Sequence, residues 1–227
     1  MPGSNNNPNT IRLPHLIVCE GKDDLFFLEY FIKTFPQFNG KFQVQEASGI
    51  GNIPVHVKSV KNLPTVSGRP SLSVIKSIIV VIDSDKNPGD ASLFAQKLLG
   101  DGGFAVPSKP CEAAQSEING RSIKVGYVLF PRLNSGNTEG ALEDLCLSIL
   151  KDSNQAKILN IVDDAMDSYK AQIGDLRRPH KNKLHAYLSL TDNFVGLKIG
   201  GAAKFDAFDF SSNALEPLKE LLSEMIA

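Results

Sequence analysis

Two aliphatic stretches of the chain end in acids. "HLIVCEG" (15–21) carries apolar residues from Leu16 to Cys19 and then turns to Glu20 and Gly21. "VIKSIIVVIDSD" (74–85) carries a β-branched run, Ile78 to Ile82, and then Asp83, Ser84 and Asp85. Runs this continuous predict strands covered on both faces, as in a parallel sheet. "KFQVQEAS" (41–48) alternates and predicts a further strand, and "IKVGYVLFP" (123–131) another.

Helical spacing fills the intervals. "DDLFFLEYFIKTF" (23–35) places Leu25, Leu28, Ile32 and Phe35 on one face, with Asp23 or Asp24 suited to its N-terminus. Phe26, Phe27, Phe31 and Phe35 on that helix read as core rather than as a base-stacking platform. "NIPVHVKSVKNL" (52–63) predicts a helix, "PTVSGRPSLS" (64–73) a loop, and "GDASLFAQKLLGDGG" (89–103) a helix closed by glycine. The stretch 104–122 is mixed and turn-rich, and "INGR" (118–121) suits a hairpin turn. "ALEDLCLSILKD" (141–152) is a helix with Leu142, Leu145, Ile149 and Leu150 on its apolar face. From about residue 154 the pattern is helical: 155–174, 181–192 and 215–227.

Alternating strands and helices give an α/β fold, a mostly parallel central sheet flanked by helices with a helical C-terminal extension. The division expected is a disordered leader over 1–12, an α/β core over 13–150 and a helical extension over 151–227 packed on that core.

Composition narrows the setting. No apolar stretch reaches the roughly 18 residues of a membrane span. The first residues lack a basic stretch followed by an apolar one, so no secretory signal is expected. Three cysteines, Cys19, Cys111 and Cys146, with no CxxC spacing argue against a disulfide framework or a zinc site and for a reducing cytoplasm. The four histidines show no metal-ligand spacing. A net charge of −1 does not by itself favour a nucleic-acid partner. The only dense basic stretch is "DLRRPHKNK" (175–183), which reads either as a solvated loop or as a steering patch.

Candidate chemistry sits where the strands end. In an open parallel sheet, ligands gather at the carboxyl edge. Glu20 ends one strand there, and Asp83 and Asp85 end another. Side chains two apart on an extended chain point the same way, so both aspartates could face one point. Converging carboxylates repel, and a hard divalent cation removes that penalty. Gly21 leaves room for close approach and Lys22 beside it could meet a phosphate. Acids at strand ends also cap the following helix, and that alternative stays open. In "NTEGALEDLCL", Glu143 and Asp144 point in different directions around a helix, so at most one is a ligand and the other caps.

These residues resemble a known pattern. "LIVCEGKDD" with "VVIDSDKN" looks like the Toprim fold, a Rossmann-like catalytic domain whose signature is a Glu after the first strand and a DxD after a later one. The spacing in "EGKDDLFFL" looks closest to the OLD-like and small stand-alone branch, and most of the chain resembles a small uncharacterised family of the DUF3226 type. The resemblance implies a Mg²⁺ (or Mn²⁺) dependent nuclease acting on DNA or RNA. Glu20 would shuttle a proton or bind metal, Asp83 and Asp85 would hold Mg²⁺, Asp24 could bind a second ion, and Glu143 would match a later metal-binding acid. It also implies a lysine beyond the acids. Lys183 is the first candidate, with Lys181, Lys198 and Lys204 competing. Arg177, Arg178 and Lys181 would meet substrate phosphates. No helicase, ATPase or zinc-finger module accompanies the acids, so a non-catalytic nucleotide- or nucleic-acid-binding module is the alternative. A haloacid-dehalogenase-like phosphatase is a third reading, since "IDSD" matches its DxD superficially. A homo-oligomer or a partner protein stays open.

Overall fold

The aliphatic runs become the inner strands of a single sheet. The computed structural model describes residues 10–131, 133, 139–152 and 156–227, so most of the expected leader lies outside the described residues. In chain order the elements are β1 (His15–Cys19), α1 (Lys22–Thr34), β2 (Phe42–Glu46), α2 (Ile53–Ser59), β3 (Ser77–Asp83), α3 (Pro88–Asp101), β4 (Ala113–Ile118), β5 (Arg121–Phe130), α4 (Leu142–Lys151), α5 (Ala156–Gln172), α6 (Pro179–Ser189), α7 (Ile199–Lys204) and α8 (Glu216–Ile226). The strands lie in the order β2-β1-β3-β5-β4. Three pairings are parallel, and β4 runs antiparallel to β5. The expected mostly parallel α/β sheet is what forms.

Period-two alternation divides each buried strand between two cores. Ile17, Cys19, Ile79, Val81, Val128 and Phe130 face a core built with α1, α4, α5, α6, α7 and α8. Leu16, Val18, Ile78, Val80, Ile82, Val125, Tyr127 and Leu129 face a second core built with α2 and α3. Helices on both faces explain why β1 shows no polar alternation at all. Each of these fully buried aliphatic or aromatic side chains contributes about 1.5–3 kcal/mol. Phe27 anchors the first core, with Phe130, Phe208 and Phe210 at ring-centroid distances of 5.3–6.2 Å.

Two local readings need correction. β4 lies in the stretch read as mixed and turn-rich; Ala113, Ala114 and Gln115 carry little strand propensity, and the strand exists because it pairs with β5. The "INGR" turn does close that hairpin, with Asn119 at φ 52° and Gly120 at φ 72°, the positive pair a tight right-twisted turn needs. The helix read over 52–63 is α2 to Ser59, then a single 3₁₀ turn over Val60–Asn62. At β5, Gly126 admits α8: a Cβ there would lie 2.6 Å from Met225 Cε. No helix among the described residues is long and apolar enough to cross a membrane.

The strand order fixes where a ligand can sit. From β1 the chain crosses to β2 on one side, and from β3 it crosses to the β4–β5 hairpin on the other. The crevice of a doubly wound sheet opens at such a reversal, at the carboxyl ends. Glu20 follows β1, and Asp83 closes β3, so both acids flank that point.

Candidate functional site

Strand β3 delivers Asp83 to the α1/α4 side of the sheet, in phase with Ile79 and Val81. There Asp83 Oδ1 accepts from the Leu142 N–H of α4's first turn at 3.0 Å. The strand stops at Asp83. Asp85 has φ 47°, so the extended geometry that would align the two aspartates does not hold. Backbone bonds turn the chain instead: Asp85 N donates to Gly140 O at 2.8 Å and Gly140 N donates to Asp85 O at 2.7 Å. Asp83 is half-buried and Asp85 is exposed, yet both line the same cleft.

Gly140 is required by this bridge. Its φ is +133°, and a Cβ would lie 2.5 Å from Asp144 Oδ2 and 3.1 Å from Pro131 Cγ.

The cleft has a volume of about 620 Å³. Glu20, Asp83, Asp85, Glu139, Glu143 and Asp144 supply acids to its lining. Arg177, Arg178, His180 and Lys181 form a basic wall opposite, and Lys86 adds a further cation. The basic stretch of the sequence thus faces the acids. Asp24 does not line the cleft; it lies behind it, close enough to repel Glu20, Glu143 and Asp83.

Helices α1 and α4 open in the same way. In α1 the Gly21 N–H donates to Asp24 Oδ2 at 2.9 Å, and in α4 the Ala141 N–H donates to Asp144 Oδ2 at 2.9 Å. Each aspartate is the third helical residue and satisfies an orphan N–H. Of the adjacent acids in α4, Asp144 is therefore the cap. Glu143 is 8% exposed and pairs with Lys181 Nζ at 2.9 Å.

Burial and mutual repulsion set the acidities. Burial first, then Asp24, Glu143 and Glu20, raise the Asp83 pKa from 3.8 to about 8, against the stabilising Leu142 N–H. Burial first raises Asp24 from 3.8 to about 7, opposed by the Gly21 N–H and aided by Glu20, Glu143 and Asp23. Glu20 is raised by burial and by Asp85, and held down by the Ile50 N–H and by Lys181. Lys181 is itself raised by its bond to Glu143.

Besides Asp24, three expected participants stand elsewhere. Gly21 and Lys22 do not line the cleft. Gly21 has an extended φ of −140°, and a Cβ would meet only Asp24 Oδ2 at 3.7 Å, so neither backbone nor space calls for glycine. Lys22 is exposed at the first position of α1. Lys183 pairs with Asp163 of α5 in a neighbouring depression. Two positions along a helix turn a side chain about 200° around the axis, so Lys181 and Lys183 cannot share a target.

Sequence reasoning passed over His180, whose imidazole contacts the Asp144 carboxylate. It also passed over Lys86 and Glu139 at the rim, and over the structural demand on Gly140. Two signals were available. An Asp three residues after Gly21 and after Ala141 marks both caps, and Pro179 at the first position of α6 fixes the phase of the lysines.

A family model described as "Protein of unknown function (DUF3226)" matches residues 14–227. No curated protein and no solved structure matches the chain.

Proposed function

The chain belongs to the DUF3226 family, proteins of unknown function, and we propose that its sheet-edge cleft is the site of a Mg²⁺- or Mn²⁺-dependent phosphoryl transfer, a nuclease reaction on DNA or RNA. In this reading Glu20 with Asp83 and Asp85 is a Toprim arrangement of the OLD-like branch. The observation that carries it is the meeting, at one topological reversal, of acids from two adjacent strand ends with a basic wall from the α5–α6 connection.

The donor set suits a hard cation. It is all carboxylate oxygen, and Asp83 and Glu20 hold their protons more tightly than usual, through burial first and then repulsion from neighbouring acids. Among the described residues no three His, Cys, Asp or Glu side chains group closely enough to hold a metal ion. The reading therefore calls for an ion held by one or two carboxylates, from Glu20, Asp83 and Asp85, with water and substrate phosphate completing its shell, as Mg²⁺ commonly is. Bound there, it would offset the carboxylate charge and polarise a phosphoryl oxygen.

The chain's own groups do the rest. Glu20 takes a proton from the attacking water at its carboxylate and returns it to the departing oxygen. Arg177 and Arg178 hold phosphate oxygens through paired N–H donors, and Lys181 adds a point charge where negative charge builds. Contacts of this kind read phosphates, not bases, so selectivity for sequence is weak and binding weakens steeply with salt.

A specific observation favours a second reading, a non-catalytic nucleotide- or nucleic-acid-binding module: Glu143 is paired with Lys181, and Asp24 and Asp144 are committed to caps. One experiment separates the two. Plasmid and RNA are incubated with Mg²⁺ or Mn²⁺ and with wild type, Glu20→Gln or Asp83→Asn. Cleavage by wild type that both variants lose supports the nuclease. Equal activity in all three preparations rejects it, and retention of the nucleic acid without cleavage selects the binding module.

A further inference from the structure

The start of α6 differs from the starts of α1 and α4. Helix N-termini favour acids, because the aligned peptide dipoles leave them positive. Helices α1 and α4 comply, with Asp23 and Asp24, and Glu143 and Asp144, in their first turns. Helix α6 has no acid in its first turn. It opens instead on Arg177, Arg178, Pro179, His180 and Lys181, and no side chain caps it. Such a sequence works against its own helix. Local rules broken without local gain mark residues placed for another purpose.

What the arrangement serves is visible across the gap. Helices α4 and α6 pack against each other, and their first turns pair residue for residue: Lys181 with Glu143 at 2.9 Å, and His180 with Asp144. The two pairs are unequal. Asp144 is also tied to its own helix through the Ala141 N–H, so that contact stays put. Glu143 is nearly buried and fixed, whereas Lys181 is half exposed on a flexible stem and can leave. The Lys181 charge also reaches beyond its partner, to Asp83 and to Glu20.

We propose that Lys181 is a resident stand-in for the divalent cation: its ammonium holds Glu143 and balances the acidic floor until an ion enters, and the ion's repulsion then releases it to grip a substrate phosphate. Cation loading and substrate grip are thereby coupled through one side chain. The inference rests on the phosphoryl-transfer reading of the same cleft and adds to it the order of events, cation before nucleic acid.

The test reads binding, with no turnover. Mn²⁺ is titrated into wild type, Lys181→Gln and Lys183→Gln, with the free ion followed by its paramagnetic resonance. A labelled single-stranded oligonucleotide is then titrated into each protein with and without Ca²⁺. Removing an adjacent positive charge shifts an ionic equilibrium about tenfold, so Lys181→Gln is expected to bind Mn²⁺ about tenfold more tightly than wild type. Lys183→Gln is expected to match wild type. The oligonucleotide is expected to bind wild type more tightly with Ca²⁺ than without it, and Lys181→Gln to lose that gain. Unchanged or weaker Mn²⁺ binding in Lys181→Gln, with wild type still taking up the ion, overturns the inference and leaves the phosphoryl-transfer reading standing. No Mn²⁺ uptake by any of the three overturns both. Lys181→Gln leaves the buried Glu143 without its ammonium partner, so the melting temperatures of the three proteins are compared to verify that each is folded, and Lys181→Met provides the same test with a second neutral side chain.

Discussion

The two edges of the sheet bury titratable groups in opposite ways. At the amino edge His15 begins β1, stacks on Phe42 at 5.3 Å and shares a hydrogen bond of 2.9 Å between its Nδ1 and Ser77 Oγ. Burial, with Lys76, Lys41 and Lys124 nearby, lowers its pKa from 6.5 to about 4, so the ring is buried neutral and partnered. At the carboxyl edge Asp83 and Asp24 are half-buried among other acids, and their pKa values rise to about 8 and 7. One edge resolves its polar group internally. The other gathers like charges, offset in part by Lys181. This contrast is what the proposed phosphoryl-transfer reading of the carboxyl edge builds on.

The contrast breaks most sharply at Asp83. Replacing it with Asn removes the central charge of the acidic cluster. Cleavage is expected to fall at least about 100-fold, by analogy with the loss of a single preorganised electrostatic group. The same change should stabilise the metal-free protein near pH 8 by a few kcal/mol, at about 1.4 kcal/mol for each pKa unit no longer held up. A variant that loses both activity and stability would point to a structural role.

The pH dependence of stability carries opposite signs at the two edges. The folded protein binds the Asp83 and Asp24 protons more tightly than the unfolded chain does. Their contribution is complete below about pH 4 and is lost as pH rises through about 7 and 8. His15 is depressed, so its contribution is complete above pH 6.5 and is lost as pH falls toward 4. Denaturant unfolding between pH 4 and 8.5 should show Asp83→Asn flattening the alkaline limb and His15→Phe flattening the acid limb. Were either substitution to act on the other limb, the division between the edges would fail.

Gly140→Ala should cost about 2–3 kcal/mol, from a left-handed backbone and a Cβ driven into the Asp144 cap. It should lower cleavage too, because Asp85 hangs on the same bridge. Ser77→Ala should cost about 1–2 kcal/mol by leaving the His15 nitrogen unpaired, with cleavage unchanged. Smallest of all, Lys183→Gln should leave cleavage within about twofold of wild type, where Lys181→Gln lowers it at least tenfold, the difference expected between an ion pair outside the cleft and a phosphate contact.

Much of this was legible in the residues, and the failures have physical reasons. The runs before Glu20 and Asp83 announced inner strands because burial on both faces leaves no polar alternation to misread. Strand β4 was hidden because its pairing with β5, not its own propensity, makes it a strand. The acids at the strand ends were legible as types in a pattern. Their geometry was not: the left-handed turn at Asp85 depends on Gly140, more than fifty residues away. Lys183 faces Asp163 and Lys181 the cleft because two positions along a helix reverse a side chain's direction, and the phase follows from where Pro179 starts α6.

The central claim is that the buried acids at the carboxyl edge are reconciled by a divalent cation. Denaturant unfolding of wild type and Asp83→Asn at pH 8, each with and without millimolar Mg²⁺, tests it most directly, since a ligand of the folded state alone raises stability by mass action. Stabilisation of wild type by Mg²⁺, with little or none in Asp83→Asn, is the predicted result. An unchanged wild type, or an equal rise in both proteins, would contradict it.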